Sequence, residues 1–161
     1  MHKSSFDLCR LFVEEHLADR STLTIADVGS QNVNGTYRSL FGRDGWQYVG
    51  FDEVEGDNVD IVLTPETLAE HRETFDVVIS GQTLEHTLKP WQWIKDVASL
   101  ANPGGMVWII APNTWAFHEF PRDCWRIWPD GLRALFGEAG LDVVYCRMIG
   151  HDTYGLARKP T

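Results

Sequence analysis

What most restricts the folds open to this chain is an alternation of apolar, β-type runs at 23–28, 47–51, 59–63, 75–80 and 106–111 with helical or loop segments. Helical periodicity covers 5–18, 35–42, 66–71, 90–101 and 129–139. Such alternation argues a parallel sheet flanked by helices. The first, fourth and fifth runs are nearly continuous in apolar residues, as expected of central strands buried on both faces. After the last helical segment Gly140 punctuates the chain, and the β-branched run LDVVYCRMI reads as a sixth strand. The following DTYGLARKP, entered through Gly150, is expected to return as a seventh strand antiparallel to the sixth.

Length and composition fit one domain over 1–161: the 161 residues are 43% hydrophobic, enough for a real core, and no repeat or Pro/Gly/Ser-rich linker divides them. The net charge of −9, from 23 acidic and 14 basic side chains, supplies no broad basic footprint, so a nucleic-acid partner is disfavoured. No run approaches the roughly 20 apolar residues of a membrane-spanning helix. The opening MHKSSFDLCRLFVEEHL interrupts its apolar positions with Asp7, Arg10, Glu14 and Glu15. It reads as an amphipathic N-terminal helix within 1–20 and not as a signal peptide, which points to a cytoplasmic protein with no membrane partner. Cys9, Cys124 and Cys146 are odd in number and form no CxxC pair, consistent with reduced thiols. Of seven tryptophans, Trp108, Trp115, Trp125 and Trp128 crowd one stretch, where they either edge the core or wall a ligand pocket.

The strongest local signal is IADVGSQNVNGTYRSLF, an apolar strand that ends at Asp27 and passes through Gly29 and Gly35 into an expected helix. Glycine permits tight turns and close backbone approach, so this junction can lay main-chain N–H groups against a ligand. Gln31 and Asn34 stand where the dinucleotide fingerprint GxGxxG would place further glycines, which argues against a pyrophosphate site. Asp52 ends the next strand, where a carboxylate can accept both ribose hydroxyls of an adenosine, with Glu53 able to share the task. The alternative for Asp52 is an exposed acid after a strand.

Six ordered pieces, DVGSQNVNG, YVGFD, VDIV, FDVVISGQTLEH, LANPGGMVWIIAPN and FPRDCWRIWPDGL, resemble the class I S-adenosylmethionine-dependent methyltransferases, particularly the branch with a type 11 methyltransferase domain. The resemblance runs from about residue 23 to 142. It implies a Rossmann-like, three-layer α/β sandwich with a mostly parallel seven-stranded sheet and an antiparallel C-terminal strand. It also implies S-adenosylmethionine as cofactor. By that resemblance Asp27 and Gly29 lie beside the amino-acid part of the cofactor, with Ser30 and Gly35 in the surrounding loop. Asp52 takes the ribose, and Leu63 and Thr64 border the adenine, although many relatives carry an acid near Thr64. Ser80, Gly81 and Gln82 reach the cleft from the fourth strand, and Glu85 and His86 follow near it. Glu85 is equally a helix-start acid interacting with the helix dipole. ANPGG resembles the family's LKPGG turn before the fifth strand, with Asn102 in place of lysine.

Methyl transfer to a hydroxyl is an in-line displacement that needs alignment and a proton acceptor. After the fifth strand, APNTWAFHEFPRDCWRIWPDGL gathers His118, Glu119, Arg122, Asp123 and Arg126 into an acceptor-side loop at 112–130. His118 leads as base because imidazole titrates near neutral pH, with His86 second and Asp123 either orienting a histidine or accepting the proton itself. Arg122 and Arg126 either bind an anionic acceptor or pair with Asp123 or Asp130. His118, Glu119 and Asp123 are of the types that hold hard divalent ions, but such clusters are too common for a metal to be assigned. Related proteins with a similar His, Pro, Asp, Trp, Arg pattern occur among sugar- and glycan-modifying enzymes. The expectation is therefore O-methylation of a small-molecule acceptor, a metabolite or a sugar or glycan hydroxyl, with a homodimer as the assembly considered. N- or carboxyl-methylation, or a noncatalytic cofactor-binding domain acting with a partner, are the alternatives.

Overall fold

In a computed structural model, which describes residues 3–161, the alternation resolves into a seven-stranded sheet between two layers of helices. Met1 and His2, at the head of the expected N-terminal segment, lie outside the described residues. In chain order the elements are α1 (Lys3–His16), β1 (Leu23–Val28), β2 (Trp46–Asp52), β3 (Ile61–Val62), α2 (Pro65–Glu70), β4 (Phe75–Gly81), α3 (Pro90–Leu100), β5 (Ala101–Pro112), α4 (Pro129–Glu138), β6 (Asp142–Ile149) and β7 (Asp152–Arg158). The sheet runs β3-β2-β1-β4-β5-β7-β6. Strands β1 to β5 are parallel, and β7 is antiparallel to both β5 and β6. This is the expected Rossmann-like sandwich with its antiparallel C-terminal strand.

Period-two alternation along the central strands sorts their side chains into two cores. Leu23 and Ile25, Val77 and Ile79, and Met106, Trp108 and Ile110 face one layer, which Cys9, Phe12, Val13 and Leu17 of the first helical segment cover. Their neighbours Ala26 and Val28, Val78, and Val107, Ile109 and Ala111 face the other layer, against Ile94 and Val97 of α3 and Leu132 and Phe136 of α4. Both faces of these strands are thus buried, which is why their sequences are nearly continuous in apolar residues. Of the four tryptophans, Trp108 is fully buried, Trp125 packs at the core edge, and Trp115 and Trp128 are exposed. All three cysteines are free thiols. Among the described residues no helix is long and apolar enough to cross a membrane.

Three local expectations change. The helix expected at 35–42 is only a single 3₁₀ turn, Arg38–Phe41. Gly35 enters it at φ +114°, and the Asn32 side chain captures the Gly35 N–H at 2.8 Å, so the chain turns where a first helical turn would begin. The third strand shortens to two residues, Ile61–Val62. The ANPGG turn is absorbed into β5: Phe75 and Val77 of β4 face Ala101 and Met106, so the intervening residues bulge. Gly104 takes φ +77° in that bulge and its N–H donates to the Lys159 carbonyl at 2.9 Å.

Candidate cofactor and acceptor site

The strand order reverses between β1 and β4, and in open α/β sheets the crevice beyond the carboxyl ends at such a point is where ligands bind. Buried acceptors without donors mark the same edge. Asp27 Oδ1 near the end of β1, Gln82 Oε1 just after β4 and both carboxyl oxygens of Glu85 are buried with no hydrogen-bond partner. Burying a polar group unpaired costs about 1–3 kcal/mol, so a run of them at one edge calls for a ligand that brings donors or positive charge.

On the β1–β2 side the geometry is set by strand ends. Asp27 is buried and its Oδ2 accepts from the Tyr48 hydroxyl. Burial, reinforced by the nearby Asp52 charge and opposed by the Tyr48 bond, pushes its carboxyl up to about 7. Gly29 follows at φ +81°, and a Cβ there would stand 2.0 Å from Thr83 Oγ1, so both the backbone and the packing require glycine. The loop amides are not free for a ligand, contrary to the expectation from the glycines. Gly29 and Ser30 both donate to the Phe51 carbonyl, at 2.8 and 3.0 Å, and Gln31 N donates to Asp52 Oδ2 at 3.0 Å. Asp52 is thereby oriented, with Oδ1 taking only a long 3.4 Å contact from Val54 N.

The remaining cofactor candidates divide. The Ser30 hydroxyl bonds the Asn58 carbonyl at 3.1 Å, and the Ser80 hydroxyl ties β4 to β1 through the Val28 carbonyl at 2.5 Å; both are structural bonds. Gly81 makes room for Tyr37, whose hydroxyl would lie 2.1 Å from an added Cβ. Gln82 adopts φ +57°, rare for a residue with a side chain, and its Nε2 donates to Asp152 Oδ1 at 2.9 Å. Ser4 of α1 reaches the same aspartate at 2.7 Å. Leu63 packs against the core, and Thr64 caps α2 in a reciprocal capping box with Thr67. Glu53 is exposed beyond β2. The acceptor-rich edge fits S-adenosylmethionine, which carries hydrogen-bond donors in its α-ammonium and its ribose diol.

On the other side, a 3₁₀ turn, Leu84–His86, meets the connection between β5 and α4. Cys124 and Trp125 both donate their backbone N–H to the Glu85 carbonyl, at 2.7 and 3.2 Å. Arg126 fixes the connection with all five of its N–H donors. It grips both oxygens of Asp123, at 2.5 and 2.7 Å, and donates to the carbonyls of Trp115, Ala116 and Trp125. Arg126 is therefore the ion-pairing clamp of the two roles considered for it, and its bonds hold the Asp123 carboxyl down at about 2. Arg122 and Glu119 are exposed.

This clamp carries His118, whose backbone N–H donates to Asp123 Oδ2 at 2.7 Å. Its Nδ1 lies 3.0 Å from the Ala116 carbonyl, and His86 Nδ1 bonds the Arg122 carbonyl. A carbonyl can only accept, so both Nδ1 atoms carry hydrogen and the neutral rings leave their Nε2 lone pairs free. Those two Nε2 atoms face Glu85 Oε1 at 3.6 and 3.9 Å. Burial pushes the Glu85 carboxyl up to about 8, and burial likewise lowers His86 below the ordinary imidazole value. The structure thus brings His118, His86 and Asp123 together. It adds Glu85 between the two histidines, an acid that the LEH segment offered equally as a helix-start residue.

Comparison with known proteins agrees with this architecture. A family model described as a methyltransferase domain matches residues 5–145. The ubiquinone biosynthesis O-methyltransferase of Parvibaculum lavamentivorans is 41% identical over 58 residues, which are 35% of this chain and only 23% of that protein's length. Among solved structures, the 1,6-didemethyltoxoflavin N1-methyltransferase of Burkholderia thailandensis, with bound 1,6-didemethyltoxoflavin and S-adenosylhomocysteine, superposes with a TM-score of 0.77 at 17% identity. That match covers 98% of this chain and 79% of the other. An O-methyltransferase family protein, also of Burkholderia thailandensis, superposes with a TM-score of 0.67 at 17% identity, over 96% of this chain and 56% of its own. With a family match over most of its length and the sheet order and cofactor edge described above, the chain belongs to the class I S-adenosylmethionine-dependent methyltransferases.

Proposed function

We propose that the protein transfers a methyl group from S-adenosylmethionine to a hydroxyl of a small molecule, with a sugar as the favoured acceptor. The observation that carries this reading is the convergence of two imidazole Nε2 lone pairs on one buried carboxyl at the edge that also carries Asp27 and Asp52. Amine or carboxylate acceptors need less help from a proton-accepting group than a hydroxyl does.

When bound, S-adenosylmethionine supplies an electrophilic methyl on a sulfonium, open to in-line attack. Asp27 receives the α-ammonium on its unpartnered oxygen, and Asp52 receives the ribose hydroxyls. Gly29 keeps the wall thin where the amino-acid part passes, while Leu63 and Thr64 border the adenine. On the acceptor side His118 takes the hydroxyl proton at Nε2, its ring held by the Ala116 carbonyl and by Asp123. His86 stands edge-on to it, with ring centroids 5.1 Å apart, and is the second candidate for that proton. The exposed rings of Trp115, Phe117 and Phe120 on the same connection offer apolar surface for an acceptor's carbon face.

The direct test is release of S-adenosylhomocysteine from a panel of sugar, phenol, amine and carboxylate acceptors, with the methylated atom located by NMR. Turnover confined to hydroxyl acceptors is expected. Turnover only on amines or carboxylates would overturn the O-methyl reading, and cofactor binding without turnover on any acceptor would favour a noncatalytic role.

A further inference from the structure

We infer that Glu85, His86 and His118 form a binding site for a single first-row divalent cation, of the zinc, cobalt or manganese type, beside the cofactor edge. One ligand atom from each residue lies within 4.8 Å of the other two. The distances from Glu85 Oε1 to the two Nε2 atoms, 3.6 and 3.9 Å, are too long for hydrogen bonds. They are near the separation of atoms sharing one ion: with bonds of about 2.0–2.2 Å, ligands around a tetrahedral ion stand about 3.3–3.6 Å apart. The widest separation in the group reaches up to 4.8 Å, so side-chain shifts of about 1 Å bring the three atoms onto one ion.

A second observation points independently to a positive ligand. Both oxygens of the fully buried Glu85 lack a side-chain hydrogen-bond partner among the described residues, so its charge is offset only by its own backbone and by the Arg126 guanidinium, and a bound cation would complete that compensation. Side chains that ligate a metal through Nε2 characteristically donate Nδ1–H to a carbonyl or carboxylate, which fixes the ring and its tautomer. His86 does so to the Arg122 carbonyl and His118 to the Ala116 carbonyl, with Asp123 Oδ2 3.5 Å from the same His118 nitrogen. The Asp123–Arg126 clamp therefore positions the third ligand. Asp123 is itself no ligand, because both of its oxygens are committed to Arg126.

Two imidazoles and one carboxylate select zinc, cobalt, manganese or iron(II) over magnesium or calcium, which prefer oxygen ligands. Three protein ligands leave positions open toward the more exposed His118 side, where an acceptor oxygen would enter. That use on the acceptor rests on the proposed O-methyl transfer, whereas the ion site stands without it. His118 Nε2 would then serve as ligand, and the bound ion would take over from it the activation of the hydroxyl.

The test is binding of Co²⁺ and Zn²⁺ to the full chain after chelator treatment, followed by calorimetry and by the visible absorption of the cobalt form. One ion per chain is expected, and Glu85→Gln, His86→Ala and His118→Ala should each weaken binding by at least tenfold while cofactor binding persists. X-ray absorption of the zinc-loaded wild-type chain provides a readout that needs no variant, and two imidazoles with oxygen are expected. No stoichiometric binding, binding unchanged in all three variants, or a zinc shell containing sulfur would overturn the site. Methyl transfer at full rate in metal-free protein would overturn the ion's role on the acceptor and leave the O-methyl reading intact. Stoichiometric metal with no hydroxyl methylation would do the reverse.

Discussion

On the β1–β2 side of the cleft, Asp27, Gly29 and Asp52 stand at or beside strand ends, and backbone ladders fix their directions. On the other side, Glu85 and His86 lie in a 3₁₀ turn, and His118 sits in a connection with no regular secondary structure. The first arrangement is as rigid as the sheet. The second depends on side-chain bonds, chiefly the five donated by Arg126, and on two amides that reach the Glu85 carbonyl. The difference separates what each side can vary: a sheet edge suits a constant ligand, while a clamped connection can be rebuilt around different ones.

If the sides are functionally separate, damage to one should leave the other intact. The largest effect is expected from His118→Ala, with turnover reduced by about 10²–10⁴ and S-adenosylmethionine affinity unchanged by calorimetry. A parallel loss of cofactor affinity would erase the comparison.

The next effect concerns stability. Asp27 is held at about 7 against an ordinary 3.8, so the folded chain binds a proton more tightly than the unfolded one. The associated stability is fully present below about pH 4 and is lost as pH rises through about 7, a change of at most about 4 kcal/mol. Asp27→Asn should remove this dependence, so its stability relative to wild type should climb across that window in urea unfolding. Parallel profiles for the two proteins would remove Asp27 from the account.

Asp52→Asn should weaken S-adenosylmethionine binding by about 1.5–3 kcal/mol, roughly ten- to a hundredfold, without altering metal binding at Glu85. The smallest effect is reserved for Thr64→Ala. Loss of the cap on α2 should cost about 1 kcal/mol of stability in thermal or urea unfolding. Cofactor affinity in this variant tells a cap from an adenine contact: unchanged affinity leaves Thr64 a cap alone.

Legibility followed the same division. Near-continuous runs such as IADV and FDVVIS announced central strands because both of their faces are covered, and the antiparallel return of β7 was marked by Gly150. The 35–42 segment has helical periodicity but forms no α-helix, because Tyr37 and Phe41 enter the core from the cap and the end of a single 3₁₀ turn. Conservative-looking site residues also changed role, for example Ser80, whose hydroxyl is spent on the Val28 carbonyl.

By itself the sequence determined the sheet, its parallel order of strand and helix, and the carboxylates at the ends of β1 and β2, because these depend on local periodicity and on residues adjacent along the chain. Only the tertiary structure decided that Glu85 is buried without a partner and that His86 and His118, 32 positions apart in the chain (118 − 86), turn their Nε2 atoms toward it. Burial and convergence are set by long-range packing, here by the Cys124 and Trp125 amides that reach the Glu85 carbonyl and by the His86 bond to the Arg122 carbonyl. No local pattern encodes where such a loop comes to rest.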